Sequence, residues 1–130
     1  MPSIFSKIVA GEIPCHKLLE DEHYLSFLDL RPIKEGHALV IPKKEVDYIF
    51  DMDDNDLAGL MFFARRVAKG IERVIPCKKI GLTVVGLEVP HTHIHLVPID
   101  GVRDMDFAKA KEVDSQTLSQ LATKIRDYIH

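Results

Sequence analysis

One long amphipathic segment separates two groups of strand-like runs and limits how this chain can fold. From about Asp54 to Ile75, apolar residues recur every three to four positions, starting among acidic residues and stopping at Pro76. This periodicity predicts a single helix with one buried face. The apolar residues on that face are Leu57, Leu60, Met61, Ala64, Val67, Ala68, Ile71, Val74 and Ile75.

Short apolar runs on both sides of this helix predict five strands. Two of them, Lys17–Glu20 and Tyr24–Asp29, flank a charged turn and indicate a hairpin. The others are Gly36–Pro42, Ile80–Val85 and Val89–Ile99. Because the strands cluster around one long helix instead of alternating with helices, the pattern favours an α+β fold with a mostly antiparallel five-stranded sheet.

Both ends of the chain carry shorter helical patterns. Ser3 is placed to cap a two-turn helix that Gly11 ends, and Ser115 is placed to cap an amphipathic stretch within residues 100–130. At 130 residues, with no repeat or linker, the chain is predicted to form one domain over residues 1–130.

Charge and hydropathy exclude two classes of partner. The formal net charge is −3, and basic residues occur in runs no longer than pairs, which argues against a nucleic-acid partner. No apolar run is long enough to span a bilayer, and the first residues lack the basic-then-apolar order of a secretory signal. We therefore expect no membrane association and a cytoplasmic location.

Three histidines alternate along the predicted fifth strand. His91, His93 and His95 would share one face of it, while the residues between them, partly apolar, would face the core. A neutral imidazole, with an ordinary pKa near 6.5, attacks phosphorus without a separate base. A metal site is the alternative, but at ~3.3 Å per residue the outer two histidines lie about 13 Å apart, so all three cannot bind one ion. Two of them with a ligand from elsewhere remain possible.

The chain resembles the histidine triad (HIT) family, whose signature is three alternating histidines followed by apolar residues. Three further landmarks of that family occur here in the same order, in Ile4–Pro14, Phe27–Pro32 and Gly36–Lys44. The resemblance covers residues 1–99 and leaves 100–130 as a C-terminal helical extension. The third histidine is kept as His95, which is typical of the hydrolase branch and not of the transferase branch.

The resemblance implies a nucleotide-binding hydrolase that cleaves an adenosine phosphoramidate or a related bond at the α-phosphate. By similarity, His93 is the nucleophile and forms a nucleotidyl-histidine that water hydrolyses. His91 and His95 are implied to contact the same phosphate or to move protons, and His37 to support the triad through hydrogen bonds. No cofactor is expected.

The resemblance also assigns a nucleotide pocket for an AMP- or GMP-type ligand. Asp29 would accept hydrogen bonds from the ribose hydroxyls. The other residues of this pocket are apolar, and composition alone would place them in the hydrophobic core. Only the resemblance makes them candidates for contacting the base. They are Ile4, Phe5, Ile8, Phe27, Leu30 and Leu39.

Two departures from the family pattern change what we expect of the site. In the loop Val85–Pro90, Leu87 replaces a glutamine, and Glu88 stands where relatives place a hydroxyl near the leaving group. A nucleotide sensor or scaffold with negligible turnover therefore remains an alternative. Ser3 and Ser6 occupy positions where some relatives carry zinc-binding cysteines, so no metal is expected.

The resemblance also implies a homodimer. The long helix carries more apolar surface than one small sheet face needs, including Met61, Phe62 and Phe63. Burial of that surface against a second copy of the chain is the simplest outcome.

Overall fold

The computed structural model describes residues 2–130, which contain five strands and three α-helices. The strands form one sheet in the order β1-β2-β3-β5-β4, and every neighbouring pair is antiparallel. This confirms the predicted α+β fold with a five-stranded antiparallel sheet. The elements are α1 (Ile4–Val9), β1 (Lys17–Glu20), β2 (Tyr24–Leu28), β3 (Ala38–Pro42), α2 (Asp54–Val74), β4 (Lys79–Thr83), β5 (Ile94–Ile99) and α3 (Ser115–Arg126).

The long helix α2 covers one face of the sheet. The Asp53 carboxylate caps it by accepting a hydrogen bond from the backbone N–H of Asp56 at 2.8 Å, and the helix ends just before Pro76. The predicted helix is therefore confirmed, although Met61, which was predicted to lie on its buried face, is exposed. Its buried side chains pack against the sheet in one apolar core; they are Leu60, Phe63, Ala64, Val67 and Ile71.

Phe63 belongs to this core and not to an exposed surface. It lies one helical turn after Leu60 and is buried with it, whereas Met61 and Phe62 on the other side of α2 are exposed. The prediction that Phe63 adds to a surface available for dimerisation is therefore wrong, and Met61 and Phe62 remain exposed.

The short helix α1 covers the opposite face of the sheet. The Ser3 hydroxyl accepts a hydrogen bond from the backbone N–H of Ser6 at 3.0 Å, and Gly11 adopts a φ of +81° just beyond the helix end. Both predicted helix boundaries are thus confirmed. The second apolar cluster, beneath α1, consists of Phe5, Leu25, Phe27, Leu39 and Ile41.

The fifth strand begins at Ile94 and not at the predicted Val89. The backbone N–H of Thr92 donates to the carbonyl oxygen of Val46 at 2.7 Å, in the loop after β3. The ladder between β3 and β5 stops at the pair Val40 and Ile94. Because the backbone before Ile94 bonds to a loop, it leaves the sheet.

Only the last of the three clustered histidines lies in a strand. His95 is opposite Leu39 of β3 and Thr83 of β4, whereas His91 and His93 occupy the irregular segment before β5. The prediction that all three imidazoles share one face of a regular strand is wrong. The other strand ends lie within one or two residues of their predicted positions.

The last helix, α3, is capped by Asp114, one residue before the predicted cap. The Asp114 carboxylate accepts a hydrogen bond from the backbone N–H of Thr117 at 2.9 Å, so Ser115 is the first helical residue and not the predicted cap. Its buried residues Leu118, Ala122 and Ile125 belong to the same core as those of α2. The assignment of residues 1–130 to one domain stays a prediction.

None of the helices in residues 2–130 combines the length and the apolar character needed to span a membrane.

Candidate active site

His91 is completely buried, and both of its ring nitrogens have hydrogen-bond partners. Its Nε2 lies 2.8 Å from the carbonyl oxygen of Pro42, which only accepts hydrogen bonds, so Nε2 carries the proton. Its Nδ1 then accepts a hydrogen bond from the Ser3 hydroxyl at 2.8 Å. Neither nitrogen is free to contact a phosphate, so the role implied for His91 at the phosphate is not supported by this geometry.

Glu45 connects the His91 anchor to the start of α1. Its Oε1 accepts hydrogen bonds from the Ser6 hydroxyl at 2.7 Å and from the backbone N–H of Ser3 at 2.6 Å, and lies 4.0 Å from Nδ1 of His91. These hydrogen bonds, from Ser6 first and then Ser3, lower the pKa of the Glu45 carboxyl to about 2. The sequence assigned Glu45 no role, because nothing local relates it to Ser3, 42 positions earlier.

His93 is oriented by the backbone of His91. Its Nδ1 lies 2.8 Å from the His91 carbonyl oxygen and therefore donates to it. In the neutral ring, Nε2 is left with a free lone pair, which is the form a nucleophile needs. The Phe5 ring lies 4.9 Å from the His93 ring, nearly edge-on, and fixes its position from the α1 side.

His37 determines which nitrogen of His95 carries a proton. The backbone N–H of Ile33 donates to Nδ1 of His37 at 3.1 Å, so His37 donates from Nε2 to Nδ1 of His95 at 3.0 Å. The proton of a neutral His95 is then on Nε2, where it is available as a hydrogen-bond donor. The four histidines thus form two pairs, His91 with His93 and His37 with His95. In each pair the first ring is an anchor held within the protein, and the second ring lines the cleft.

Burial keeps three of the four imidazole rings uncharged. Desolvation lowers the pKa of His95 to about 3, with smaller effects in the same direction from His37 and His93. Desolvation also lowers the pKa of His37, although Asp29 opposes it, and it lowers the pKa of His91. These three rings are therefore neutral at pH 7, consistent with the donor and acceptor assignments above.

A cavity of about 440 Å³ opens beside His93 and His95, between α1 and the sheet. At one end the Asp29 carboxylate accepts a hydrogen bond from the backbone N–H of Arg31 at 2.9 Å, and it lies 3.5 Å from Nε2 of His37. All eight residues expected from the sequence to bind the nucleotide line this cavity: Ile4, Phe5, Ile8, Phe27, Asp29, Leu30, Leu39 and Glu88.

A second, smaller cavity of about 260 Å³ also borders the two histidines. It shares His93, His95, Glu88 and Val89 with the first cavity and is also lined by Phe107, a residue that the sequence pattern did not single out. The sequence signal that could have identified Phe107 is an aromatic residue in a largely polar segment. Larger cavities of about 490 and 620 Å³ lie beside α3, but neither has His91, His93 or His95 in its wall.

In residues 2–130, one group of side chains meets the spacing of a metal site. Ligand atoms of Asp29, His37 and His95 lie within 4.8 Å of one another. The Nδ1 lone pair of His95 already accepts the proton of His37, so a metal ion would have to replace that proton. The donor set therefore fits a hydrogen-bonded pair better than a metal centre.

Comparisons with known proteins find similar sequences and a similar fold. The HIT domain model matches residues 10–102. A HIT-like protein of Methanocaldococcus jannaschii is 37% identical over 134 residues, covering 95% of this chain and 98% of that protein. An adenosine 5′-monophosphoramidase of Saccharomyces cerevisiae is 34% identical over 129 residues, covering 91% and 82%. A crystal structure of a HIT-like protein from Bartonella henselae aligns with a TM-score of 0.87 at 26% identity, covering 98% and 96%.

We expect the free energy of unfolding to decrease between pH 6.5 and pH 5 because of His95. An unfolded histidine, with a pKa near 6.5, takes up a proton in this range, whereas the folded ring, with a pKa of about 3, does not. The loss attributable to this ring at pH 5 is about 2 kcal/mol. Urea unfolding of the wild type and His95→Gln at pH 7 and pH 5 measures it. The variant should lose correspondingly less stability; equal losses in the two proteins would contradict the assignment.

Proposed function

The chain belongs to the histidine triad family, and on that premise we propose that it hydrolyses nucleoside phosphoramidates, preferably of adenosine, at the α-phosphate. The observation that carries the proposal is the position of His93 and His95, which line both cavities. A nucleotide in the larger cavity would place its α-phosphate where the two cavities meet. The yeast relative named as an adenosine 5′-monophosphoramidase supports this choice of substrate.

The proposed reaction has two displacements at phosphorus. In the first, Nε2 of His93 forms a bond to phosphorus while the phosphorus–nitrogen bond to the leaving amine breaks, and the amine takes a proton from solvent. In the second, water forms a bond to phosphorus, the bond to His93 breaks, and the proton of water is released with the nucleoside monophosphate. The Nε2–H of His95 stabilises the phosphoryl oxygens in both steps as a neutral donor.

The nucleoside half of the substrate fits the larger cavity. Phe5 and Phe27, whose rings are 5.8 Å apart, would contact the base together with the aliphatic residues around them. Asp29 would accept hydrogen bonds from the ribose hydroxyls through the carboxylate oxygen that Arg31 does not use. His37 would act through His95, since its own ring is buried behind it.

A nucleotide sensor or scaffold with negligible turnover is the second candidate function. The loop Val85–Pro90 favours it, because its side chains offer no hydrogen-bond donor to a phosphate, and Leu87 is almost fully exposed. Release of a fluorogenic amine from an adenosine phosphoramidate separates the two functions. Rapid release supports the hydrolase, and binding without release supports the sensor.

We also propose a homodimer, while a cytoplasmic location remains an expectation from the sequence. Exposed apolar side chains occur on α2 at Met61 and Phe62, and on the edge strand β4 at Leu82. An open strand edge beside exposed apolar side chains is a surface that a second copy of the chain can cover.

Replacing the nucleophile should abolish turnover but not binding. We expect His93→Ala to hydrolyse no phosphoramidate while its nucleotide affinity stays within about tenfold, because the larger cavity supplies most of the binding. His95→Ala should slow hydrolysis by about 10² to 10⁴, as for one electrostatic group. Single-turnover hydrolysis and calorimetric titration with AMP provide the two measurements. His23→Ala, at an exposed turn, is the control; undiminished activity in His93→Ala would exclude the proposed nucleophile.

The carboxylate of Glu88 should favour leaving groups that carry N–H donors over polyphosphates. An ionised carboxylate accepts hydrogen bonds and repels anions, so Glu88→Gln and Glu88→Ser should shift the ratio of kcat/KM toward a diadenosine polyphosphate and away from a phosphoramidate. The exposed Glu22 of the β1–β2 turn provides the control Glu22→Gln. A change in that ratio of less than about twofold, under ~0.5 kcal/mol, would show that Glu88 does not read the leaving group.

The dimer should depend on the exposed side of α2. We expect light scattering at micromolar concentration to give twice the mass of one chain, and Phe62→Glu to shift the protein toward the monomer, because a charge cannot be buried there without a partner. Phe50→Glu, at an exposed aromatic residue in the turn that precedes α2, is the control. A wild-type protein that is monomeric at this concentration would contradict the proposal.

A further inference from the structure

The segment after β5 folds back over the third histidine of the triad. The ring of Phe107 lies 4.7 Å from that of His95 with an interplanar angle of 70°, an edge-to-face contact, and 6.3 Å from that of His37. Phe107 is still 40% exposed, so part of its ring faces the smaller cavity. The proposed nucleotide pocket uses no residue of this segment.

Hydrogen bonds at both ends hold this segment in place. The Asp104 carboxylate accepts from the backbone N–H groups of Asp100 at 2.8 Å and Gly101 at 3.0 Å. Further along, the backbone N–H of Lys111 donates to the carbonyl oxygen of Pro32 at 3.2 Å. Phe107 therefore sits on a segment that is fixed on either side of it.

The walls of the smaller cavity are mostly apolar. Val85, Leu87, Val89 and Phe107 line it, and among residues 2–130 Glu88 is the one ionisable lining residue besides His93 and His95. The cavity thus combines apolar surface with a single carboxylate next to the reacting histidines. That combination suits an amine that has N–H groups at one end and an apolar body at the other.

We propose that Phe107 and the loop 85–89 form a subsite for the leaving group, and that this subsite selects amines with an aromatic or aliphatic body. This inference rests on the proposed hydrolase function. The amine nitrogen would lie near Glu88, and the apolar body would contact the exposed part of the Phe107 ring.

The size of the subsite argues against a second nucleotide as the leaving group. At about 260 Å³ it is much smaller than the cavity of about 440 Å³ assigned to the first nucleoside. Phosphates of a dinucleoside polyphosphate would also meet apolar walls and a carboxylate without a cation to offset their charge.

Paired substrates test the subsite through a ratio. We compare kcat/KM for an adenosine phosphoramidate whose leaving amine is 2-phenylethylamine with that for the unsubstituted phosphoramidate. We expect the wild type to favour the phenylethyl compound, Phe107→Ala to reduce that preference about tenfold, and Phe107→Leu to keep most of it. Phe50→Ala, at an exposed aromatic residue outside the cavity, is the control. If both substrates slow equally in Phe107→Ala, Phe107 positions His95 and does not read the leaving group, which overturns the proposal.

A binding measurement separates failure of the subsite from failure of the hydrolase proposal. In the His93→Ala background, which cannot form the covalent intermediate, dissociation constants are measured for both phosphoramidates with and without Phe107→Ala. Tighter binding of the phenylethyl compound that disappears in the double variant supports the subsite, even if the wild type hydrolyses neither compound. Equal binding of the two compounds overturns the subsite, whether or not the protein is a hydrolase.

Discussion

The arrangement of the site depends on the hydrogen bonds that hold His91. Its ring is buried between the Pro42 carbonyl and the Ser3 hydroxyl, and Glu45 fixes Ser3 in turn. A buried polar group that loses its partner costs about 1–3 kcal/mol, so the ring cannot turn away without a large penalty. The His91 carbonyl then determines which nitrogen of His93 is free. Three distant segments, the start of α1, the loop after β3 and the triad segment, are thereby joined at one residue.

This anchoring divides four chemically identical side chains into two kinds. His91 and His37 use both ring nitrogens for contacts within the protein, whereas His93 and His95 line the cavities and each keep one nitrogen without a hydrogen-bond partner among residues 2–130. Burial lowers the pKa of His91, His37 and His95, so these rings keep fixed tautomers near neutral pH. The site therefore has a set pattern of donors and acceptors before any substrate binds, which is the preorganisation that electrostatic catalysis requires.

Two cavities that both border this pair would give the proposed substrate a direction. The larger one presents aromatic and aliphatic walls with a carboxylate at its end, which suits a nucleoside. The smaller one is lined in part by Phe107 from the C-terminal segment, so that segment contributes to the candidate site as well as to the core through α3. Glu88 lines both cavities and Leu87 lines the smaller one, and their chemistry favours a leaving group different from a phosphate.

Local sequence patterns were enough for the helices, the five strands and the caps at Ser3 and Gly11, because periodicity and capping act over a few residues. The family resemblance, carried by ordered motifs, brought the pocket residues together. Only the tertiary structure decided where β5 begins, because a bond from Thr92 to Val46 competes with the strand ladder. It also decided that His91 is an anchor and that Glu45 and Phe107 belong to the site. Those roles arise from contacts between residues far apart in the chain, which no local pattern encodes.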